Sequence, residues 1–320
     1  MASDLVQRLR ACLAAEGFPL VGTASVRPRG RDVEAYRRWL AGGMHGHLHY
    51  MARSAGLREE PSALEPWARG VVCAALPYNT SRELSVRAVA AGRAWVSRYA
   101  WGRDYHKVLR ARLRRAAGLL RAEGHRARVC VDSAPLLERA LAAKAGLGFI
   151  GKNGMLIHPD WGSYLFLGEI LTDLELEDSE PLPDGCGDCE LCMRGCPTQA
   201  LPSPRVLDAR RCLSTWTIEH RGAFTEETPP LHGHLFGCDR CQEVCPYNRE
   251  APLSGEADFR ARAMWHAPDP AAVATMGEAR WDEATRGTAL RRARFDGLKR
   301  NAARILEEGA RSANSGARRR

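Results

Sequence analysis

Four cysteines spaced Cys186-x-x-Cys189-x-x-Cys192-x-x-x-Cys196, with Pro197 next, constrain this chain more than any other feature. Two-residue gaps bring three thiolates from one tight loop onto three corners of a cube, and the x-x-x-Cys-Pro arm turns the fourth away. This is the bacterial ferredoxin run, in which the fourth thiolate ligates a second 4Fe-4S cluster. A second set follows, with Cys212 upstream of Cys238-x-x-Cys241-x-x-x-Cys245-Pro246. By the same crossing rule Cys186, Cys189, Cys192 and Cys245 hold one cluster, and Cys196, Cys212, Cys238 and Cys241 the other. Cys212 breaks the simple repeat, so this partition is less fixed than the presence of two clusters. Zinc ribbons also use paired C-x-x-C steps, but a third step and a Cys-Pro ending on both halves are not zinc spacing. Disulfides are a third reading, disfavoured wherever thiols stay reduced.

Of the eleven cysteines in 320 residues, only Cys12, Cys73 and Cys130 lie outside that segment, and they read as core residues. No apolar run reaches the ~18 residues of a membrane span. The first residues are charged and amphipathic, unlike a signal peptide. These features predict a cytoplasmic protein without membrane contact. The lack of coiled-coil heptads predicts a monomer.

Helical periodicity is expected over residues 3–16, 32–40, 103–121 and 134–145, and strand patterns over 20–24, 70–76, 126–131, 155–158 and 164–172. Alternating helices and strands predict an α/β domain over residues 1–175. An acidic, proline-bearing stretch at 174–184 marks a boundary. The cluster segment then occupies 176–255, and a basic helical region 256–320, for an overall class of α/β plus α. Gly146-x-Gly148-x-x-Gly151 has the letters of a dinucleotide fingerprint, but it follows a helix and not a strand, so it reads as a loop.

Several blocks occur in an order that resembles one family. They are Tyr99-Ala100-Trp101-Gly102-Arg103-Asp104-Tyr105-His106, Val131-Asp132-Ser133-Ala134-Pro135, Gly148-Phe149-Ile150-Gly151-Lys152-Asn153, Gly162-Ser163-Tyr164 and Gly237-Cys238-Asp239-Arg240-Cys241. Together with the double cysteine motif they resemble the epoxyqueuosine reductases, over residues 1 to about 305. The resemblance implies a base-off cobalamin between the α/β domain and the ferredoxin-like domain, fed by an external low-potential electron donor. It implies reduction of the epoxide of epoxyqueuosine, at the tRNA wobble position, to the cyclopentene of queuosine. It implies Asp132 as proton donor, whereas the residues alone favour Asp132 as a helix cap. It implies cobalamin contacts at Arg58, Asp132, Lys152, Asn153, Gly154, Leu156, Ser163 and Ser214. It leaves the cobalt without a histidine ligand, so His158, His232 and His234 are not expected to serve. A corrinoid reductive dehalogenase and a bare electron carrier are the rival readings.

Residues 289–304 show helical apolar spacing with a basic face and resemble the start of the family's HEAT-like repeats. Of the net charge of +9, residues 281–320 carry +6, from 11 basic and 5 acidic residues. Arg291, Arg292, Arg294, Lys299 and Arg300 are the expected tRNA phosphate contacts. Residues 312–320 are expected to form a disordered tail.

Overall fold

The apolar run at Gly70–Pro77 is an inner strand, buried at every position. In the computed structural model, which describes residues 2–317, it lies in a four-stranded sheet. The order is Leu20–Ser25, Gly70–Pro77, Leu165–Thr172, Ala127–Cys130. Val72, Ala74 and Leu76 face a core built with the helices Ala2–Ala15 and Tyr105–Ala122. Val71, Cys73 and Ala75 face the opposite core, which includes Leu141 and Ala142 of the helix Glu138–Lys144. Both faces are covered, which is why the strand reads as a continuous apolar run without alternation. Cys73 and Cys130 are buried in the second core, while Cys12 lies half-buried at the edge of the first.

The helix Tyr105–Ala122 starts where the Asp104 carboxylate accepts the His106 N–H at 3.1 Å. Leu109, Leu113 and Leu120 are fully buried along it, each contributing about 1.5–3 kcal/mol by burial. This helix positions His106 at the end of the sheet where the chemistry described below is gathered.

Alternating helices and strands usually signal parallel neighbours, yet every pair in this sheet is antiparallel. Segments 26–69 and 131–164 carry short helices and loops that turn the chain back beside itself. The strand expected at 155–158 shortens to Leu156–Ile157 and pairs with Phe149–Ile150 in a separate small hairpin. The Gly146–Gly151 stretch joins a helix to that hairpin, so it forms no strand-to-helix phosphate turn.

Chain order and spatial order differ. Trp95–Val96 pairs in parallel with His234–Phe236. Trp95 and Trp101, from within residues 1–175, share a core with Phe236, Trp265, Trp281, Leu290 and Leu298. The helix expected over 289–304 is broken. Ala289–Ala293 forms a short 3-10 turn, Arg294 takes φ 64, and a new helix runs Arg294–Ala317. That helix includes residues 312–317 of the expected tail, and 318–320 lie outside the described residues. Among the described residues no helix is long and apolar enough to cross a membrane.

Candidate active site

A cavity of about 2380 Å³ opens at the end of the sheet, between the α/β unit and the cysteine segment. Ordinary small-molecule sites occupy about 300–1,000 Å³, so this one accommodates a much larger ligand. Asp132 and His106 line one part of its wall, and Cys196, Cys212, Cys238 and Cys241 line another.

None of the eleven cysteines is joined to another by a disulfide. Cys245 feels the charge of Cys186 and Cys192, and Cys241 that of Cys212, Cys196 and Cys192, so cysteines of both motifs gather in one region. Backbone amides are aimed at the sulfurs. Lys152 N–H donates to Cys186 Sγ at 3.4 Å and Ala200 N–H to Cys196 Sγ at 3.2 Å. Cys212 receives the amides of Ser214 and Thr215, and Cys238 that of Arg240. Such donors favour thiolates, so the donor set fits iron–sulfur clusters.

Asp132 follows the strand Ala127–Cys130 and takes φ 54, a left-handed conformation in which aspartate is tolerated better than most residues. It does not cap the next helix, which begins later, at Glu138, without a side-chain cap. The Asp132 backbone N–H instead donates to the Glu138 carboxylate. Its side-chain Oδ2 lies 3.0 Å from His106 Nε2, and His106 Nδ1 lies 2.8 Å from Asp104 Oδ1. Burial alone lowers the His106 pKa, but hydrogen bonds to Asp104 and Asp132 outweigh it and raise it to about 9. Burial pushes Asp132 up, and the His106 hydrogen bond and charge more than offset this, leaving it below its usual value. At neutral pH the proton of this pair therefore rests on His106.

Two more carboxyls stand behind Asp132. Withdrawal from water and the Asp132 charge raise Glu138 to about 7. Burial, then the neighbouring Glu138, pushes Glu169 well above the carboxylate range. The Glu169 oxygens are buried without a hydrogen-bond partner among the described residues.

The expected contact residues divide. Arg58, Asn153, Gly154, Leu156, Ser163 and Ser214 line the cavity with Asp132, whereas Lys152 does not. Lys152 instead turns its amide to Cys186. Arg58 is buried and donates to the Leu136 carbonyl at 2.8 Å, bracing the loop that carries Asp132. The Ser163 hydroxyl bonds Gln242 Oε1 at 3.0 Å and receives Asn248 Nδ2 at 2.9 Å. His158, His232 and His234 are not among the residues lining the cavity. Sequence reasoning missed His106, Glu138 and Glu169. Only the spacing Asp104-x-His106 at a helix start hinted at the first, and nothing local marked the other two.

The expected RNA face also divides. Arg291 pairs with Asp282 at 2.7 Å, and Arg292 grips Glu219 through two bonds of 2.8 Å at the cavity wall. Arg294 is exposed, and Lys299 lies over the Phe295 ring. Arg300 is not a free cation for phosphate. It donates to the carbonyls of Trp216, His220 and Gly222, and withdrawal from water lowers its pKa to about 10.

A family profile described as epoxyqueuosine reductase QueG, DUF1730, matches residues 58–133, and a 4Fe-4S double cluster binding domain matches residues 185–248. An epoxyqueuosine reductase of Gloeobacter violaceus is 42% identical over 316 residues, covering 95% of this chain and 95% of its own. The chain belongs to the epoxyqueuosine reductase family. The Xanthomonas campestris epoxyqueuosine reductase is 41% identical over 314 residues, 94% of this chain and 86% of that one. A crystal structure of epoxyqueuosine reductase with an epoxyqueuosine-modified tRNA-Tyr stem loop superposes with TM-score 0.88 at 28% identity, covering 96% of this chain and 82% of that one. The Bacillus subtilis epoxyqueuosine reductase, solved with its catalytic aspartate loop swung out of the active site, gives TM-score 0.83 at 28% identity and the same coverage. In this chain the Asp132 loop is tied by hydrogen bonds to His106 and Glu138.

Proposed function

We propose that this chain reduces the epoxide of epoxyqueuosine in tRNA to queuosine, with two 4Fe-4S clusters and cobalamin as cofactors and Asp132 as proton donor. The observation that carries this reading is the single large cavity shared by Asp132, His106 and the four cysteines Cys196, Cys212, Cys238 and Cys241. The cavity's size and its mixed polar and apolar lining fit a corrin, which Arg58, Asn153, Gly154, Leu156, Ser163 and Ser214 on its wall would hold. When bound, the clusters and the corrin supply the two electrons that the reduction consumes, drawn from an external low-potential donor. The N-terminal α/β unit then serves as the cobalamin-binding catalytic part, and the C-terminal helices as a short HEAT-like region.

The chain's own residues manage protons. Removing the epoxide oxygen as water takes up two protons, and the oxygen that develops negative charge must receive one. His106 holds a proton 3.0 Å from Asp132 Oδ2. Substrate closing over Asp132 removes water from its carboxylate, which raises its affinity for that proton. Asp132 then donates and His106 restores. Asp104 fixes the imidazole from the other side.

The pH dependence follows. His106 keeps its proton up to about pH 9, so turnover holds to that pH and falls above it. His106→Gln removes the reserve, leaving a lone carboxyl of ordinary pKa ~4 shifted only by the site. Its alkaline fall is expected at lower pH, with kcat at pH 8 down about 100-fold. A variant profile that overlays the wild type would contradict this role. The function itself is tested by expression in a bacterium whose tRNA accumulates epoxyqueuosine. Queuosine reappears if the reading holds, and its absence despite soluble, iron-loaded protein rejects it.

A further inference from the structure

The arginines expected to meet RNA are largely spent on Asp282, Glu219 and carbonyls. A second concentration of positive charge, with two cations free of such partners, lies elsewhere. A second concave site, about 390 Å³, is lined by Arg103, Lys107, Arg260 and Arg262, with Asp258 as its acid. Lys107 and Arg260 are exposed, and their side chains make no hydrogen bond or ion pair among the described residues. Arg103 meets Asp258 at 3.3 Å, and Arg262 donates to the Arg286 carbonyl at 2.9 Å. Four cations thus face one carboxylate.

The site is held by the fold. Arg103 N–H donates to the Asp258 carbonyl at 2.7 Å, and Asp104 N–H to the Gly287 carbonyl at 2.8 Å. These bonds join three segments distant in sequence. Gly102 is required there, since a Cβ would stand 2.3 Å from the Asp258 carbonyl oxygen. The site adjoins the catalytic cavity, since Lys107 lines both. Its neighbour His106 is bonded to Asp132.

We propose that this pocket takes a backbone phosphate of the RNA substrate, beside the nucleotide that enters the cavity. This rests on the tRNA reading above. A concave cluster of four cations around one carboxylate, with Lys107 and Arg260 free of side-chain partners, suits a monoanionic phosphate, and a phosphate contact sets register without reading sequence. Its position at the rim leaves the base free to reach Asp132.

The test uses the full chain with clusters loaded, and epoxyqueuosine-bearing tRNA as substrate. Arg260→Glu, at an exposed position outside the catalytic cavity, is expected to raise KM for tRNA about tenfold or more while kcat stays within about twofold. The slope of log affinity against log salt should shrink by about 0.7 for each phosphate that the variant no longer neutralises. Arg260→Lys should restore KM. Unchanged KM and salt slope in Arg260→Glu, with a wild type that turns over, would overturn the proposal. A wild type that fails to convert the tRNA rejects the functional reading instead.

Discussion

Asp132→Asn is expected to lose turnover by about 100- to 10,000-fold, the usual worth of a positioned general acid. The substitution isolates proton donation from structure. Asparagine tolerates the left-handed φ of 54 at this position. The backbone N–H that Glu138 accepts is untouched, and an amide oxygen still accepts from protonated His106. The loop should therefore stay inward, with iron content and cobalamin binding as in the wild type. What disappears is the ability to pass a proton, because an amide cannot take one from His106 and release it. The measurement is single-turnover conversion of epoxyqueuosine-tRNA by anaerobically purified protein, with iron and cobalamin quantified on the same sample. Normal turnover in Asp132→Asn would show that the proton comes from elsewhere.

Cys212→Ser is expected to remove both one cluster and the activity. Cys212 lies in the thiol group that lines the cavity, near Cys196 and Cys241 and beneath the amides of Ser214 and Thr215. Losing one thiolate of four should cost that cluster, so iron and acid-labile sulfide per chain fall to about half. Electrons then stop short of the cavity, and turnover falls to background. Cys12→Ser provides the contrast, since Cys12 stands at the edge of the first core, far from the cluster segment in sequence, and its loss leaves iron unchanged. Full iron and full activity in Cys212→Ser would mean that the ligand set is drawn wrongly. Half the iron with full activity would mean that the cavity-facing group is not the one that delivers electrons.

The double-cluster segment was legible in the sequence because its Cys-x-x-Cys and Cys-Pro steps are short-range spacing, and short-range spacing survives without a structure. The helices around Leu109 and Leu141 and the strand Gly70–Pro77 were legible for the same reason, as local periodicity. The antiparallel pairing was not, since strand direction depends on how segments 26–69 and 131–164 return. The core shared by Trp95 and Trp281 was not either, as nothing near Trp95 announces a partner so far along the chain. At the site, Asp132 came from a resemblance, but its partners His106 and Glu138 came only from geometry. A long-range contact leaves no local mark. The basic stretch after residue 288 misled for a related reason: charge is visible in sequence, but the carboxylates and carbonyls that consume it, such as Glu219 for Arg292 and Gly222 for Arg300, lie about 70–80 residues away.

The most direct test of the central claim is mass spectrometry of nucleosides from epoxyqueuosine-bearing tRNA. The tRNA is incubated with the purified, cluster-loaded protein and a low-potential reductant, with cobalamin added or withheld. Conversion to queuosine with cobalamin, and none without it, is the predicted result. Epoxyqueuosine that stays intact with cobalamin and both clusters present, or that is reduced equally well without cobalamin, would contradict the account.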